Sequence, residues 1–184
     1  MPGIAPPLLT VEDYKILPET GPRYQLIEGD LYMAPAPNRY HQDISRNLEY
    51  ILLEYLEAHP VGILYHAPFD VYLDQHNAFQ PDIVVVLNRS LGILTDAGAA
   101  GTPEFVVEIL SPKTARLDRV HKLRVYAQTG VQELWIIAPE NRTIEVFLLG
   151  ENAVEPAQIH DAQARFGSAH FPGLEFDAAR IFAR

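Results

Sequence analysis

Two carboxylates interrupt otherwise apolar runs of the sequence. Asp82 lies in QPDIVVVL, residues 80 to 87, and Glu108 lies in PEFVVEILSP, residues 103 to 112. Each run is apolar at both alternating sets of positions, which indicates a strand that is buried on both faces. Because an isolated ionised carboxylate is costly in such a place, each acid must take up a proton or find a partner.

The partner of these acids decides the chemistry. A structural acid would bind a backbone amide or an arginine. For either residue alone, this structural role has the same weight as a functional role. Two acids in successive strands favour another interpretation. If the strands are neighbours, the carboxylates converge and repel each other, and a hard divalent cation with oxygen ligands resolves both charges. The pair therefore predicts a metal site.

The surrounding pattern predicts the elements that position the acids. A long amphipathic helix spans residues 40 to 58, and Thr10 followed by Asp13 forms a capping-box pattern for a short first helix. RYQLIEGDLYM predicts a hairpin that turns at Gly29. The other predicted elements are strands at 62–66, 69–73, 79–87, 104–110, 131–138 and 144–149, a helix near 114–129, and short strands with a final short helix after residue 157. This order predicts an α/β or α+β fold.

Composition limits the class of protein. The chain has 184 residues, 21% of them charged and 48% hydrophobic, which is typical of one globular domain. It has no cysteine, so disulfides and thiolate metal sites are excluded. No apolar stretch suits a membrane span or a secretory signal, so we expect a cytoplasmic protein. The net charge of -10 argues against a broad DNA-coating surface, although a local basic site is compatible with it.

Several motifs resemble the Uma-two family of restriction-endonuclease-like proteins, a branch of the PD-(D/E)XK nucleases. Between residues 8 and 181 they are LTVEDYKILPE, RYQLIEGDLYMAPAPNRYHQ, QPDIVVV, PEFVVEILSP, DRVHKLRVYAQTGVQELWIIAP and FPGLEFD. The resemblance implies that residues 1–184 form a single nuclease-like domain. It also implies a restriction-endonuclease-like core in which helices flank a mixed central sheet, with an N-terminal hairpin.

The resemblance implies a set of catalytic residues as well. Asp82 and Glu108 would be the carboxylates that bind Mg²⁺ or Mn²⁺, with the main-chain carbonyl of Ile109 as a further ligand. Glu28, in LIEGD, would be an additional acid of the site. Lys122 would stabilise charge or orient the attacking water.

The superfamily lysine is displaced in this sequence. The position two residues after Glu108 is Leu110, whereas the Uma-two family carries the lysine in the following helix, where Lys122 matches. Lys122 falls largely outside the apolar stripe of its helix, so the alternative is that this lysine is solvated. The stripe residues are Leu117, Val120, Leu123 and Ala127. The competing cations are Lys113, Arg116 and Arg119.

Two further residues favour structural roles. Tyr126 follows Lys122 by four residues and is expected to pack beside it. His41 stands where the family often has a histidine at the start of its long helix. A lone histidine is typical of a cap or a surface group, so we leave His41 out of the catalytic set.

The function implied by the resemblance is metal-dependent hydrolysis of DNA phosphodiester bonds by a homodimer. The helix that follows the Glu108 strand carries four cations that could form a positive edge for binding DNA, namely Arg116, Arg119, Lys122 and Arg124. The alternative is a non-catalytic interaction or regulatory protein on a nuclease-like scaffold. The intact set of acids and lysine weighs against this alternative, and the net charge of -10 weighs in its favour.

Overall fold

The computed structural model describes residues 7–18, 20–150 and 155–184. Its helices are α1 (Val11–Lys15), α2 (Arg39–Ala58) and α3 (Leu123–Thr129). Its strands are β1 (Tyr24–Ile27), β2 (Asp30–Met33), β3 (Gly62–His66), β4 (Val71–Asp74), β5 (Asn77–Phe79), β6 (Ile83–Leu87), β7 (Leu94–Thr95), β8 (Gly98–Ala99), β9 (Phe105–Ile109), β10 (Glu133–Ala138), β11 (Thr143–Leu148), β12 (Gln158–Asp161), β13 (Arg165–Phe166) and β14 (Phe176–Asp177). Short 3₁₀ turns span Asn88–Ile93 and Ala178–Arg180, and a π-helix spans Leu117–Lys122.

A mixed six-stranded sheet forms the centre of the fold. Its strand order is β12-β11-β10-β9-β6-β3. Strands β9 and β10 run parallel, and all other neighbours in this sheet are antiparallel. Every residue of β6, β9 and β10 is buried, as a pattern that is apolar on both faces predicts. The sheet therefore needs cover on both sides.

Helix α2 and the C-terminal segment cover one face of the central sheet. Ile83, Val85 and Val107 belong to the apolar cluster on this face. From α2 and the C-terminal segment the cluster includes Ile44, Leu48, Leu52, Phe171, Phe176 and Phe182. The long helix predicted from the sequence is confirmed, because its apolar stripe is the buried surface of α2.

Helix α3 and a second sheet cover the opposite face. The second sheet has the order β2-β1-β5-β4-β8-β7 and contains the predicted hairpin, in which Leu26 pairs with Leu31. Val84 and Val106 of the central sheet share an apolar cluster with Phe79 and Tyr126. The predicted fold class is thus confirmed: helices flank a mixed central sheet that is accompanied by an N-terminal hairpin.

Two predicted elements differ in detail. The predicted strand over residues 79–87 is divided into β5 and β6, because Pro81 has no N–H for the strand ladder. Asp82 consequently lies just before β6 and not within a strand. The predicted helix near residues 114–129 begins as a π-helix and continues as α3, which ends at Gly130 in the left-handed region with φ 96°.

The described helices are all too short or too polar to cross a membrane.

Gly62 is required by the close approach of β3 and β6. A Cβ at this position would lie 2.6 Å from the main-chain oxygen of Val86, which cannot move without shifting the strand. We expect Gly62→Ala to lower the free energy of unfolding by about 1–3 kcal/mol, measured by urea denaturation. Gly92→Ala is the control, because a Cβ there meets no atom within 4 Å. Equal stability of the two variants would contradict this packing.

Candidate active site

Asp82 and Glu108 meet at one end of the central sheet. Strands β6 and β9 are antiparallel neighbours, and Ile83 pairs with Val107. Asp82 directly precedes β6 and Glu108 lies near the end of β9, so this register brings both residues to the same end of the two strands. The two acid-bearing segments are therefore neighbours, as convergence of the two carboxylates requires.

Asp82 is held by one backbone amide and one histidine. Its Oδ2 accepts a hydrogen bond of 2.6 Å from the Ile109 N–H, and its Oδ1 lies 3.3 Å from the His41 Nε2. The side chain of Asp82 is 18% exposed, so it still reaches solvent. Each oxygen keeps acceptor capacity beyond these contacts, because an ionised carboxylate offers about four lone-pair sites.

Glu108 is more deeply buried and more heavily bonded. The Lys122 Nζ donates to Oε1 at 3.0 Å and to Oε2 at 3.1 Å, and the Tyr126 hydroxyl donates to Oε1 at 2.5 Å. Burial raises the pKa of Glu108 to about 8; Lys122 opposes this rise, and Asp118 and Asp82 add to it. Glu108 therefore lies beside more negative charge than the single lysine balances.

Lys122 is a buried member of this cluster, so the alternative of a solvated lysine is wrong. Its side chain is 3% exposed and also lies 3.1 Å from Asp118 Oδ1. Burial lowers the pKa of Lys122, but the charges of Glu108 and Asp118 outweigh this effect and raise it overall. The lysine is thus held as a cation between the side chains of Glu108 and Asp118.

The π-helix explains why the apolar stripe misplaced Lys122. The apolar stripe assumes 3.6 residues per turn. A π-turn has more residues per turn, so different side chains lie on the buried face of the helix. Val120, a stripe residue, is 45% exposed, whereas Asp118 and Lys122 are buried. Asp118, Lys122 and Tyr126 follow one another at four-residue intervals, and this spacing is the signal that could have identified Asp118.

His41 is buried beside Asp82, so the expectation of a cap or surface group is wrong. Burial lowers the pKa of His41, but the hydrogen bond and charge of Asp82, the Ile109 carbonyl and Glu108 raise it overall. Its Nδ1 is buried and has no hydrogen-bond partner among the described residues. The α2 cap is Asn38, whose Oδ1 accepts from the His41 N–H at 2.9 Å. Only its contact with Asp82, which is distant in the sequence, distinguishes His41 from an ordinary residue at the start of a helix.

Glu28 is not brought into this group. It lies in the β1–β2 turn with φ 51°, and its carboxylate is 2.8 Å from the His121 Nδ1 and 3.3 Å from the Arg124 Nη1. The hydrogen bond from His121 lowers the pKa of Glu28, with a further contribution from Arg124. A catalytic role for Glu28 stays a prediction from the resemblance.

The predicted positive edge of the helix is largely neutralised. Arg119 forms an ion pair with Glu145, and Arg124 pairs with Glu28. Lys122 is buried, which leaves Arg116 as the exposed member without a carboxylate partner in the described ranges. The sequence could not show this, because the acids that pair with these arginines are distant in the chain.

An open pocket of about 460 Å³ gives access to the acid pair. Its walls include His41, Asp82, Glu108, Ile109 and Lys122, and Glu28 does not line it. The described residues contain no group of three or more His, Cys, Asp or Glu that could hold a metal ion. The donors fit Mg²⁺ or Mn²⁺ better than zinc, because Mg²⁺ binds through one or two carboxylates and keeps several waters. A pocket with paired acids and a buried lysine suits the hydrolysis of phosphate esters.

The chain belongs to the Uma2 family, whose model matches residues 11–179 and is described as "Putative restriction endonuclease". This confirms the resemblance drawn from the sequence motifs and supports a nuclease-like function. A similar solved structure is that of a "putative nuclease belonging to DUF820" from Anabaena variabilis. It has 20% sequence identity and a TM-score of 0.76, and the match covers 95% of this chain and 97% of that chain. No curated protein matches the sequence.

Glu108 couples pH to the stability of the fold. Its pKa of about 8 in the folded state lies above the ordinary value of 4.5, so the folded chain binds this proton more tightly than the unfolded chain. The resulting stabilisation is complete below about pH 4.5 and is lost as the pH rises through 8. At about 1.4 kcal/mol per pKa unit, the loss amounts to a few kcal/mol at most.

We therefore expect Glu108→Gln to flatten the pH dependence of stability. Urea unfolding in EDTA at pH 5.5 and 8.5 measures it, and the wild-type chain should lose more stability than the variant at the higher pH. Glu104→Gln is the control, because Glu104 is a buried acid that is bonded outside the pocket. It should keep the pH dependence of the wild type. A Glu108→Gln variant with the wild-type pH dependence would contradict the assignment.

Proposed function

We propose that this protein is a divalent-cation-dependent endonuclease that hydrolyses DNA phosphodiester bonds. The observation that carries the proposal is the pairing of Asp82 and Glu108 across β6 and β9, in one pocket with the buried Lys122. The description of the Uma2 family supports DNA as the substrate. The proposed working unit is a homodimer, in which each of two such sites would cut one strand of a duplex.

Asp82, Glu108 and the main-chain carbonyl of Ile109 would hold the ion, either Mg²⁺ or Mn²⁺. When bound, such an ion polarises a phosphate oxygen and lowers the pKa of a water. Lys122 already lies 3.0 Å from Glu108 and carries a proton, so its charge is available to an oxygen that becomes more negative during the reaction. Asp118 and Tyr126 keep the ammonium and the Glu108 carboxylate in fixed positions.

His41 has a positioning role in this proposal. The Nε2 of His41 and the Ile109 N–H approach different oxygens of Asp82 and so fix the plane of the carboxylate. A fixed plane matters because a metal ligand must be oriented before the ion binds. Glu28 lies outside this arrangement, and its proposed contribution rests on the family resemblance alone.

Metal binding should depend on both acids. We expect Asp82→Ala and Glu108→Ala each to abolish Mn²⁺ binding in a calorimetric titration while the chain stays folded. Asp96→Ala removes an exposed aspartate elsewhere and should bind Mn²⁺ as the wild type does. Undiminished binding by both pocket variants would exclude this site. A wild-type chain that binds no divalent ion would favour the non-catalytic scaffold.

Cleavage should depend on Lys122 while metal binding does not. Lys122→Met combined with Asp118→Asn keeps the balance of buried charge, since it removes one cation and one anion. We expect it to lower the turnover of supercoiled and linear DNA in Mn²⁺ by about 10²-fold or more, because a preorganised charge is lost at the transition state.

Two other lysines provide the comparison for this experiment. Lys15→Met should cleave as the wild type does, because Lys15 lies on α1 and pairs with Glu12. Lys113 lines the pocket as an exposed cation, and Lys113→Ala should weaken substrate binding more than turnover. If Lys113→Ala abolished turnover and the Lys122 variant retained it, the lysine would be misassigned.

A further inference from the structure

Among the described residues, most of the lysines and arginines without a carboxylate partner lie in the walls of two cavities. Most of the basic side chains form ion pairs, namely Lys15, Arg39, Arg46, Arg89, Arg119, Lys122, Arg124, Arg165 and Arg180. Within the described ranges, those without an ion pair are Arg23, Lys113, Arg116, Arg142 and Arg184. In a chain with a net charge of -10, the positions of these cations determine where a polyanion can approach.

All of these free cations except Arg116 line two adjoining cavities. Arg23 and Lys113 lie in the wall of the candidate active-site pocket. Arg142 and Arg184 lie in the wall of a second cavity of about 340 Å³. The two cavities share Asn38 and Pro112 in their walls, so they adjoin. The free positive charge therefore extends from the acid pair along one side of the molecule.

The two arginines of the second cavity are oriented by aromatic rings. The Arg184 guanidinium lies 4.5 Å from the centroid of the Tyr40 ring, and that of Arg142 lies 5.7 Å from the Phe182 ring. A cation–π contact restrains a guanidinium and leaves N–H groups that can bind phosphate oxygens. The Tyr40 hydroxyl donates to the Phe182 carbonyl at 3.4 Å and so joins the two supports.

Arg142 occupies a position that is unfavourable for an arginine. It lies in the turn between β10 and β11 with φ 52°, in the left-handed region that Gly and Asn occupy at lower cost. Its side chain is exposed and contacts the Phe182 ring, so little of it is buried in return for this conformation. The charge of the side chain is the property that a role in phosphate binding would use.

We propose that Arg142 and Arg184, continuing from Arg23 and Lys113, form a track that binds the backbone phosphates of the DNA strand leaving the active site. The inference deepens the proposed nuclease function and rests on it. Glu140 lies in the wall of the same cavity as the two arginines. Contacts of this kind position a strand without reading its sequence.

The test compares two double variants that lose the same number of positive charges. Arg142→Asn with Arg184→Gln removes the track, and Asn suits the left-handed turn. Arg165→Gln with Arg180→Gln is the matched control, because these exposed arginines pair with Glu175 and Glu54 outside both cavities. Binding of a fluorescent duplex is measured by anisotropy in Ca²⁺, from about 0.05 to about 0.2 M salt.

Loss of the track should weaken binding about tenfold or more and reduce the slope of log affinity against log salt by about two. The control should bind as the wild type does. An equal loss in both double variants would mean that net charge alone matters and would overturn the inference. Unchanged affinity in the track variant would overturn it as well.

Cleavage measured on the same proteins separates this inference from the proposed function. The track variant should raise the KM for DNA and leave kcat unchanged. If the wild type cleaves DNA and the track variant has the wild-type KM, the track is wrong and the nuclease assignment stands. If no chain cleaves DNA but binding falls only in the track variant, the track stands and the nuclease assignment fails.

Discussion

The ion pair between Glu108 and Lys122 joins the central sheet to the segment that leads into α3, and both side chains are almost fully buried. Burying two opposite charges costs several kcal/mol of desolvation per ion, and apolar side chains of similar volume are often as stable. The pair is tolerable here because Tyr126 and Asp118 provide the remaining hydrogen bonds and charge. The segment from the π-helix through α3 therefore contributes a buried polar cluster of Asp118, Lys122 and Tyr126 at this contact with the sheet, where apolar side chains could also have packed.

Burial of an acid does not by itself mark a functional site in this protein. Glu133 is also fully buried, but its oxygens accept from the Trp135 indole and the Ser168 hydroxyl. Glu104 similarly accepts from Arg89 and from the Leu87 N–H. These acids are structural members of the core. Asp82 and Glu108 differ because both lie at the same end of the neighbouring strands β6 and β9 and line an open pocket.

Local patterns in the sequence were sufficient for most of the fold and for the acid pair. Apolar alternation located the strands of both acids, and the Thr10 capping box and the α2 stripe are present. The burial of Lys122 could not be derived in this way, because its helix begins with a π-turn that the 3.6-residue period does not describe. His41 and Asp118 were missed since their importance depends on partners brought close only by the tertiary fold.

Asp82 and Glu108 take their supports from opposite layers of the molecule. His41 projects from α2, on the face that contains Ile83 and Ile109, whereas Lys122 leads into α3 on the other face. Substitutions in α2 would therefore act first on Asp82, and substitutions in the segment from the π-helix through α3 would act first on Glu108. Because Asp82 raises the pKa of Glu108 and Glu108 raises the pKa of His41, a change in one layer also alters the electrostatics of the other.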